Sequence, residues 1–554
     1  MTAESSEPVR VRTNEAEVIM PDKKGNPATL EQTISGPVRE HEKLDLGEQS
    51  AMATAREHEM GVLESIKLYP YAIGWSVFFG WALVMTGYDS GIIFSLFAQP
   101  SFEKKYGKYF GEDLGYQVSA GWQTALTLGG AVGQLIGALG ASWPMERWGR
   151  IPVFAANIVA TTAIIFMQMF ATNIKVLTAS EYLAGIPYGF YLVIASTYAS
   201  EVCPVALRGI LQAAINLAYV IGQFIAAGVG RGVSTRLDQW AYRIPFSVQW
   251  AWIPIFAVGV FFVPESPYWL LRQGRLDDAR KSLRRLTVES PKINIDDTLA
   301  LMEETTLHEM EVEKSTSILE CFRGTNLLRT EIAAGAQIVQ IITGIQFIGY
   351  ATVFFEDSGL NVADSFDMGV GNTGIGFIAT CLAWPAMSYM GRRTIFTWGV
   401  VGMGVCLLII GILDVIPNYD EKPGLGWAQG ALLDIVTFLY QFTIGPLTFV
   451  IFGEVGATRL RSQTVTVTTS AGFLLGIVLT VGTPYMLNET AGNWRGKSGF
   501  FWGGLCALSV IWCYFRIPET KGRTYNELDY MFENKVPIRD FKNYKFDTID
   551  GVSV

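Results

Sequence analysis

Two acids stand inside strongly apolar runs of this chain, Asp89 and Glu181. A carboxyl in such surroundings is costly and is functional by default, because it can take up and release a proton near neutral pH. It can also serve only to hydrogen-bond a neighbouring helix. A second set consists of neutral groups. Gln337, Gln340, Gln346 and Tyr350 form a polar stripe on one apolar run, and Asn216 and Gln223 lie two turns apart on one face of another. Such amides supply the donors and acceptors that a hydroxyl-rich solute needs, and they can equally hold helices together. A third set is ionic and recurs: Arg147, Arg150, Glu201, Arg208 and Glu265, then Arg392, Arg393, Glu454, Arg461 and Glu519.

The elements that must position these groups are membrane helices. Half of the 554 residues are apolar and only 17% are charged, where a soluble domain holds about one quarter charged residues. Twelve runs are long enough to cross a bilayer, a span that takes about 20 residues. They begin near Tyr71, Ser119, Ile151, Val176, Gly209, Pro245, Glu331, Met368, Thr394, Trp427, Gln463 and Ser498. Basic residues fall mainly in the loops that become cytoplasmic when both termini are inside. Lys104, Lys105 and Lys108 in the first outer loop, and Arg231, Arg236 and Arg243 in the third, run against that trend.

The ionic set divides into an ordered repeat. Arg147-Trp148-Gly149-Arg150 is answered by Gly391-Arg392-Arg393, the segment Glu201 to Arg208 by Glu454 to Arg461, and Pro264-Glu265-Ser266 by Pro518-Glu519-Thr520. Three coincidences in one order indicate duplication. The expected organisation is therefore an N-terminal tail (residues 1–70, disordered), a six-helix bundle (71–263), a cytoplasmic linker (264–330), a second six-helix bundle (331–517) and a C-terminal tail (518–554). In the linker, Leu276, Ala279, Leu283 and Leu286 recur at helical spacing and predict an amphipathic helix under the bundle. The repeated Glu and Arg residues have the character of ion-pair latches that hold cytoplasmic ends together in one conformation and release them in another.

These loop patterns, together with Gly87-Tyr88-Asp89 and Pro264 to Leu270, resemble the sugar porter family of the major facilitator superfamily over roughly residues 69–541. Ala184 to Gly189, Tyr198 to Pro204, Thr483 to Asn488 and Phe501 to Gly504 are similar to the fungal maltose and other α-glucoside permeases. The resemblance implies an all-α membrane protein of two pseudo-symmetric six-helix bundles, importing a maltose-like sugar with protons by alternating access. It makes Asn216, Gln223, Gln337, Gln340, Gln346 and Tyr350 sugar-binding candidates, with Tyr440 and Phe449 at aromatic positions of the family. Phe449 stands where Trp is usual and Gly472 where Gln is usual, and both changes remove bulk from the expected pocket. Asp89 and Glu181 become the proton-coupling candidates, although the position of Glu181 usually carries Arg, and Thr86 and Gln134 replace acids found in some α-glucoside symporters.

Other classes fit less well. The three histidines lie outside the apolar runs, and no His, Cys or Ser constellation suggests an enzyme. The six cysteines form no close pairs, so neither a disulfide framework nor a metal site is expected. No nucleic-acid patch accompanies the net charge of −9, and no cofactor is implied. The expected partners are a small sugar, protons and the lipid bilayer, for a carrier working as a monomer in the plasma membrane with both termini cytoplasmic. A hexose or other sugar facilitator without proton coupling, and a non-transporting sensor on the same fold, stay open. Asn488-Glu489-Thr490 is a glycosylation sequon by pattern, expected to be unused because it lies close to the membrane.

Overall fold

The computed structural model describes residues 62–544 apart from 113–114, 289–293, 316–317, 420–421, 458–459, 522 and 524. The expected N-terminal tail falls almost wholly outside the described residues. The first six spans are α1 (Pro70–Leu96), α2 (Ala120–Trp148), α3 (Arg150–Met169), α4 (Ile174–Val202), α5 (Val205–Val233) and α6, which runs as Trp240–Val248 and Trp252–Gly259 through a 3₁₀ turn at Gln249–Ala251. The seventh, α7, is broken into Gly324–Gln340, Gln346–Gly349 and Ala351–Asp357. Then follow α8 (Val362–Tyr389), α9 (Arg392–Asp414), α10 (Pro423–Phe442 continued by Ile444–Val455), α11 (Arg461–Leu487) and α12 (Ser498–Arg516).

Local sequence explains many of the boundaries. Pro70 and Pro423 open α1 and α10 in the first turn, where a missing N–H costs nothing. Asn173 and Asn361 cap α4 and α8 by accepting from Val176 N and Asp364 N at 3.0 and 2.9 Å. Among the described residues, nine of the helices are long and apolar enough to span by composition alone. The other three, α4, α6 and α8, carry more Gly, Ser, Tyr and acids, or are interrupted, which suits interior spans whose polar groups find partners inside the bundle.

Small residues let the helices approach closely. Gly133 and Gly137 of α2 face the backbone of α4, where a Cβ on Gly133 would stand 2.8 Å from Gly185 Cα. Between α1 and α5 the same holds for Gly91, whose Cβ would meet Ala226 Cβ at 2.9 Å. The two halves meet where α5 packs on α8 and α2 on α11, pairs that the internal repeat exchanges.

The linker holds helices at Pro267–Arg272, Leu276–Leu286 and Ile295–Ser315. The predicted amphipathic stripe is the second of these. Ala279, Leu283 and Leu286 are buried, whereas Leu276 in its first turn is exposed. The linker docks beneath the N-terminal half, with Trp269 Nε1 donating to Glu146 O at 2.8 Å and Tyr198 Oη donating to Pro264 O at 2.9 Å.

Candidate functional site

Asp89 on α1 and Glu181 on α4 come together in one buried network, 4% and 1% exposed. Gln168 of α3 joins them: its Nε2 donates to Asp89 Oδ1 at 3.2 Å and to Glu181 Oε1 at 2.9 Å. Gln249, in the 3₁₀ turn of α6, donates to the same Asp89 oxygen at 2.8 Å and accepts from Tyr188 Oη at 3.0 Å. The sequence had not singled out Gln168, Gln249 or Tyr188. Among the described residues no Lys, Arg or His forms an ion pair with either acid. Thr86 and Gln134 do not join this network: Thr86 Oγ1 donates to Ala82 O, and Gln134 Nε2 donates to Tyr219 Oη at 2.7 Å.

The neutral candidates gather around the breaks in α7 and α10. Gly344 has φ +103°, a left-handed conformation that only glycine adopts cheaply, and it interrupts α7 just beyond Gln340. In α10 the helix breaks at Thr443, φ −120° and ψ −80°. Gln340 donates through Nε2 to the Gly445 carbonyl at 3.2 Å and accepts at Oε1 from Gln337 Nε2 at 3.0 Å. The remaining oxygen of Gln337 is buried without a hydrogen-bond partner among the described residues. An added Cβ at Gly445 would touch both Gln441 Oε1 and the Tyr440 ring, at 3.2 and 3.6 Å, so Tyr440 and Gln441 belong to this cluster.

Asn216 of α5 reaches across from the N-terminal half, its Nδ2 3.5 Å from Gln441 Oε1, and Thr380 Oγ1 of α8 stands 3.4 Å from the same oxygen. Gln441 is thus a bridging amide that sequence reasoning missed. Gln223 lies two turns above Asn216 on α5, half-buried, and Gln346 is half-buried just past the α7 break. Tyr350 is fully buried higher up, stacked on Phe97 at 5.9 Å and edge-to-face with Phe94 at 4.9 Å. Phe449 is 42% exposed and stands edge-to-face with Phe452. The space expected beside Gly472 is filled: a Cβ there would lie 2.6 Å from Gln337 Cγ, so this glycine seats Gln337 rather than enlarging the pocket.

At the ends beside the linker the two halves are built alike. Glu265 accepts from the backbone N–H groups of Arg150 and Ile151, both at 3.1 Å, and so caps α3; Glu519 accepts from Arg392 N at 2.8 Å and caps α9. Gly149, φ +95°, leaves room for the Glu265 carboxylate, which would sit 2.6 Å from a Cβ. The buried Arg150 grips Glu201 with Nη2 at 2.6 Å and Nε at 3.1 Å, and Arg272 of the linker adds a third contact at 2.9 Å. Its counterpart Arg392 pairs with Glu454 at 3.2 Å. Both ion pairs lie within one half in this conformation. Arg393 donates to Tyr514 O at 2.9 Å, and Arg147 lies exposed over the Trp143 ring. The side chains of Arg208 and Arg461 lie outside the described residues.

The side opposite the linker is closed across the halves. Arg231 pairs with Asp367 (Nη2 to Oδ2 3.0 Å), Gln117 Nε2 donates to Glu489 Oε2 at 3.1 Å, and Asn488 Nδ2 donates to Val118 O at 3.0 Å. The sequon nitrogen is therefore engaged and buried. Between these contacts and α7 lies a polar cavity of about 320 Å³, lined by Glu103, Gln117, Glu356, Asp357, Glu489 and Arg495 among others.

Known proteins agree with this architecture. A maltose permease of Saccharomyces cerevisiae is 34% identical over 511 residues, 91% of this chain and 83% of its own length. A general alpha-glucoside permease of the same species is 33% identical over 495 residues, 88% and 80% respectively. The inward open conformation of the xylose transporter XylE from E. coli shares the fold, with a TM-score of 0.65 at 18% identity, covering 83% of this chain and 99% of that one. The profile described as sugar (and other) transporter matches residues 76–532, and the chain belongs to that family of the major facilitator superfamily.

Proposed function

We propose that this membrane transporter imports a maltose-like α-glucoside together with protons, across the plasma membrane, by alternating access. The observation that carries proton coupling is the Asp89–Gln168–Glu181 network. Two buried carboxyls bridged by one amide and, among the described residues, without an ion-pair cation cannot both be charged at tolerable cost, so the pair holds an exchangeable proton. Sealing an empty, charged carrier around them is expensive, and neutralising them removes that penalty. Proton and sugar therefore move together.

The sugar would bind where Gln337, Gln340, Asn216 and Gln441 converge, beside the α7 and α10 breaks. The unpaired Gln337 oxygen and the long Asn216–Gln441 contact leave hydrogen-bonding capacity for hydroxyls. The α-glucoside class comes from the maltose and general alpha-glucoside permeases that the chain resembles along most of its length. A maltose-sized ligand then depends on the Gln337 side chain moving, since it fills the room beside Gly472.

Uptake of labelled maltose into vesicles under an imposed inward proton gradient tests this reading. Accumulation that collapses with a protonophore is expected. Equilibration without accumulation would assign a facilitator, and binding without uptake a sensor; either result overturns the proposal.

A further inference from the structure

A third carboxyl stands in a span of the C-terminal half. Asp434 lies in α10 amid Ala431, Leu432, Leu433, Ile435 and Val436, and it is partly buried. Its Oδ1 accepts from Asn372 Nδ2 of α8 at 2.9 Å, and the same Nδ2 donates to Thr437 Oγ1 at 2.9 Å. Asn372 and Thr437 are each 3% exposed. The two helices share a polar seam, because Asn372, Gly376 and Thr380 fall on one face of α8, and Asp434, Thr437 and Gln441 on one face of α10. A Cβ at Gly376 would touch both Thr437 and Gln441 at 3.5 Å, so the faces are in register. The seam ends at Gln441, the amide that meets Asn216 of the other half.

Charges on the neighbouring elements are engaged elsewhere. Asp367 of α8 pairs with Arg231, Asp414 of α9 accepts from Gly496 N at 3.2 Å, and Glu356 and Asp357 of α7 line the outer cavity. Among the described residues no cation forms an ion pair with Asp434, and the Asn372 amide is its hydrogen-bonding partner. The repeat gives the position independent meaning. Glu181 stands twenty residues before Glu201, and Asp434 twenty before Glu454; Glu201 and Glu454 are themselves matched by their arginines at the starts of α3 and α9.

We propose that Asp434 is a second proton-binding carboxyl, the C-terminal counterpart of Glu181, linked through Asn372 and Thr437 to the bridging amide Gln441. A proton from the outer aqueous phase forms an O–H bond on the carboxylate and leaves to water when the cavity reopens; nothing else is consumed. The role in transport rests on the proton-coupled reading above, but binding of the proton does not.

Infrared difference spectra of the purified full-length protein in lipid, recorded on acidification, test the site without any sugar. The expected result is a protonated-carboxyl band lost in Asp434→Asn and retained in Asp89→Asn. Asn372→Ala, which keeps the carboxyl but removes its donor, should displace that band, and this guards against misfolding of the first variant. No band lost in Asp434→Asn, or a band indifferent to Asn372→Ala, overturns the proposal. Maltose-driven proton uptake in wild-type vesicles separates the two ideas: its absence would end the coupling reading while leaving the infrared result standing.

Discussion

Gln168 makes both of its carboxylate contacts through one NH₂ group, so Asp89 and Glu181 are held by a neutral donor that cannot cancel charge. It follows that Asp89→Asn, which keeps the volume and much of the hydrogen bonding, should abolish maltose-driven proton uptake yet spare exchange of maltose down its own gradient. Alkalinisation of the medium at the wild-type ratio to sugar in that variant would show that Asp89 is not the carrier. At the neutral cluster, Gln340→Ala or Asn216→Ala should weaken maltose affinity about 5-fold, the worth of about 1 kcal/mol for a lost hydrogen bond to a hydroxyl. Unchanged affinity and rate in both would remove the sugar site from this position. Asp89 and Glu181 were legible in the sequence because a charge inside an apolar run has few explanations; Asp434, in a run as apolar, takes its meaning only from Asn372 and Thr437 facing it. Gln168, Gln249 and Gln441 were not, since an interior amide that stands alone on its run carries no spacing signal and acquires meaning only from the helix it faces.

Helix starts were readable to within several residues, because prolines, asparagine caps and polarity shifts are local. The breaks at Gly344 and Thr443 were not, since each depends on what packs around it: Gly344 faces Leu407 and Trp502, and Thr443 is wedged against Gly399. The α2–α4 seam is the element-scale feature with the sharpest consequence. Gly137 meets the Ile186 backbone so closely that any side chain must push α4 away, and lipid offers no hydrophobic gain for separated helices. Gly137→Val should therefore abolish monodisperse protein at the membrane, whereas Gly140→Val, where an added Cβ meets no neighbouring helix within 4 Å, should not. Normal yield of the Gly137 variant would refute the seam. The cytoplasmic Glu201 ties α4 to the start of α3 and to the linker through Arg150 and Arg272. Glu201→Gln removes the carboxylate of both pairs, leaving Glu146 as the remaining partner of the two arginines, without altering the sugar cluster, so maximal transport rate should fall while maltose affinity stays near wild type. A changed affinity with an unchanged rate would contradict this assignment.

The whole molecule is held outer-closed by contacts that join the halves, and that closure brings acids together. Glu103, on the short helix Pro100–Tyr106 of the first outer loop, faces the cavity that also holds Glu356 and Asp357 at the end of α7 and Glu489 beyond α11. Burial, and then repulsion from Glu356, Asp357 and Glu489, pushes its carboxyl up to about 9 from an ordinary value of 4.5. Arg495 lies 3.8 Å from Glu489, and Lys422 donates to Pro417 O, so these cations offset the cluster only in part. Opening the outer side returns Glu103 to water and towards its ordinary value. The closed state thus binds the proton more tightly, and linkage makes closure weaken as pH rises between the two values. Closure is fully supported below the lower value and loses this contribution as pH climbs towards the upper one. Spin labels at Lys105 and Lys422, exposed residues on opposite halves, should move apart as the outer pH rises from about 6 to about 9. Glu103→Gln, neutral at every pH, should remain at the short distance over that range. If wild type shows no lengthening, or the Gln variant lengthens equally, proton release from Glu103 does not control the outer side.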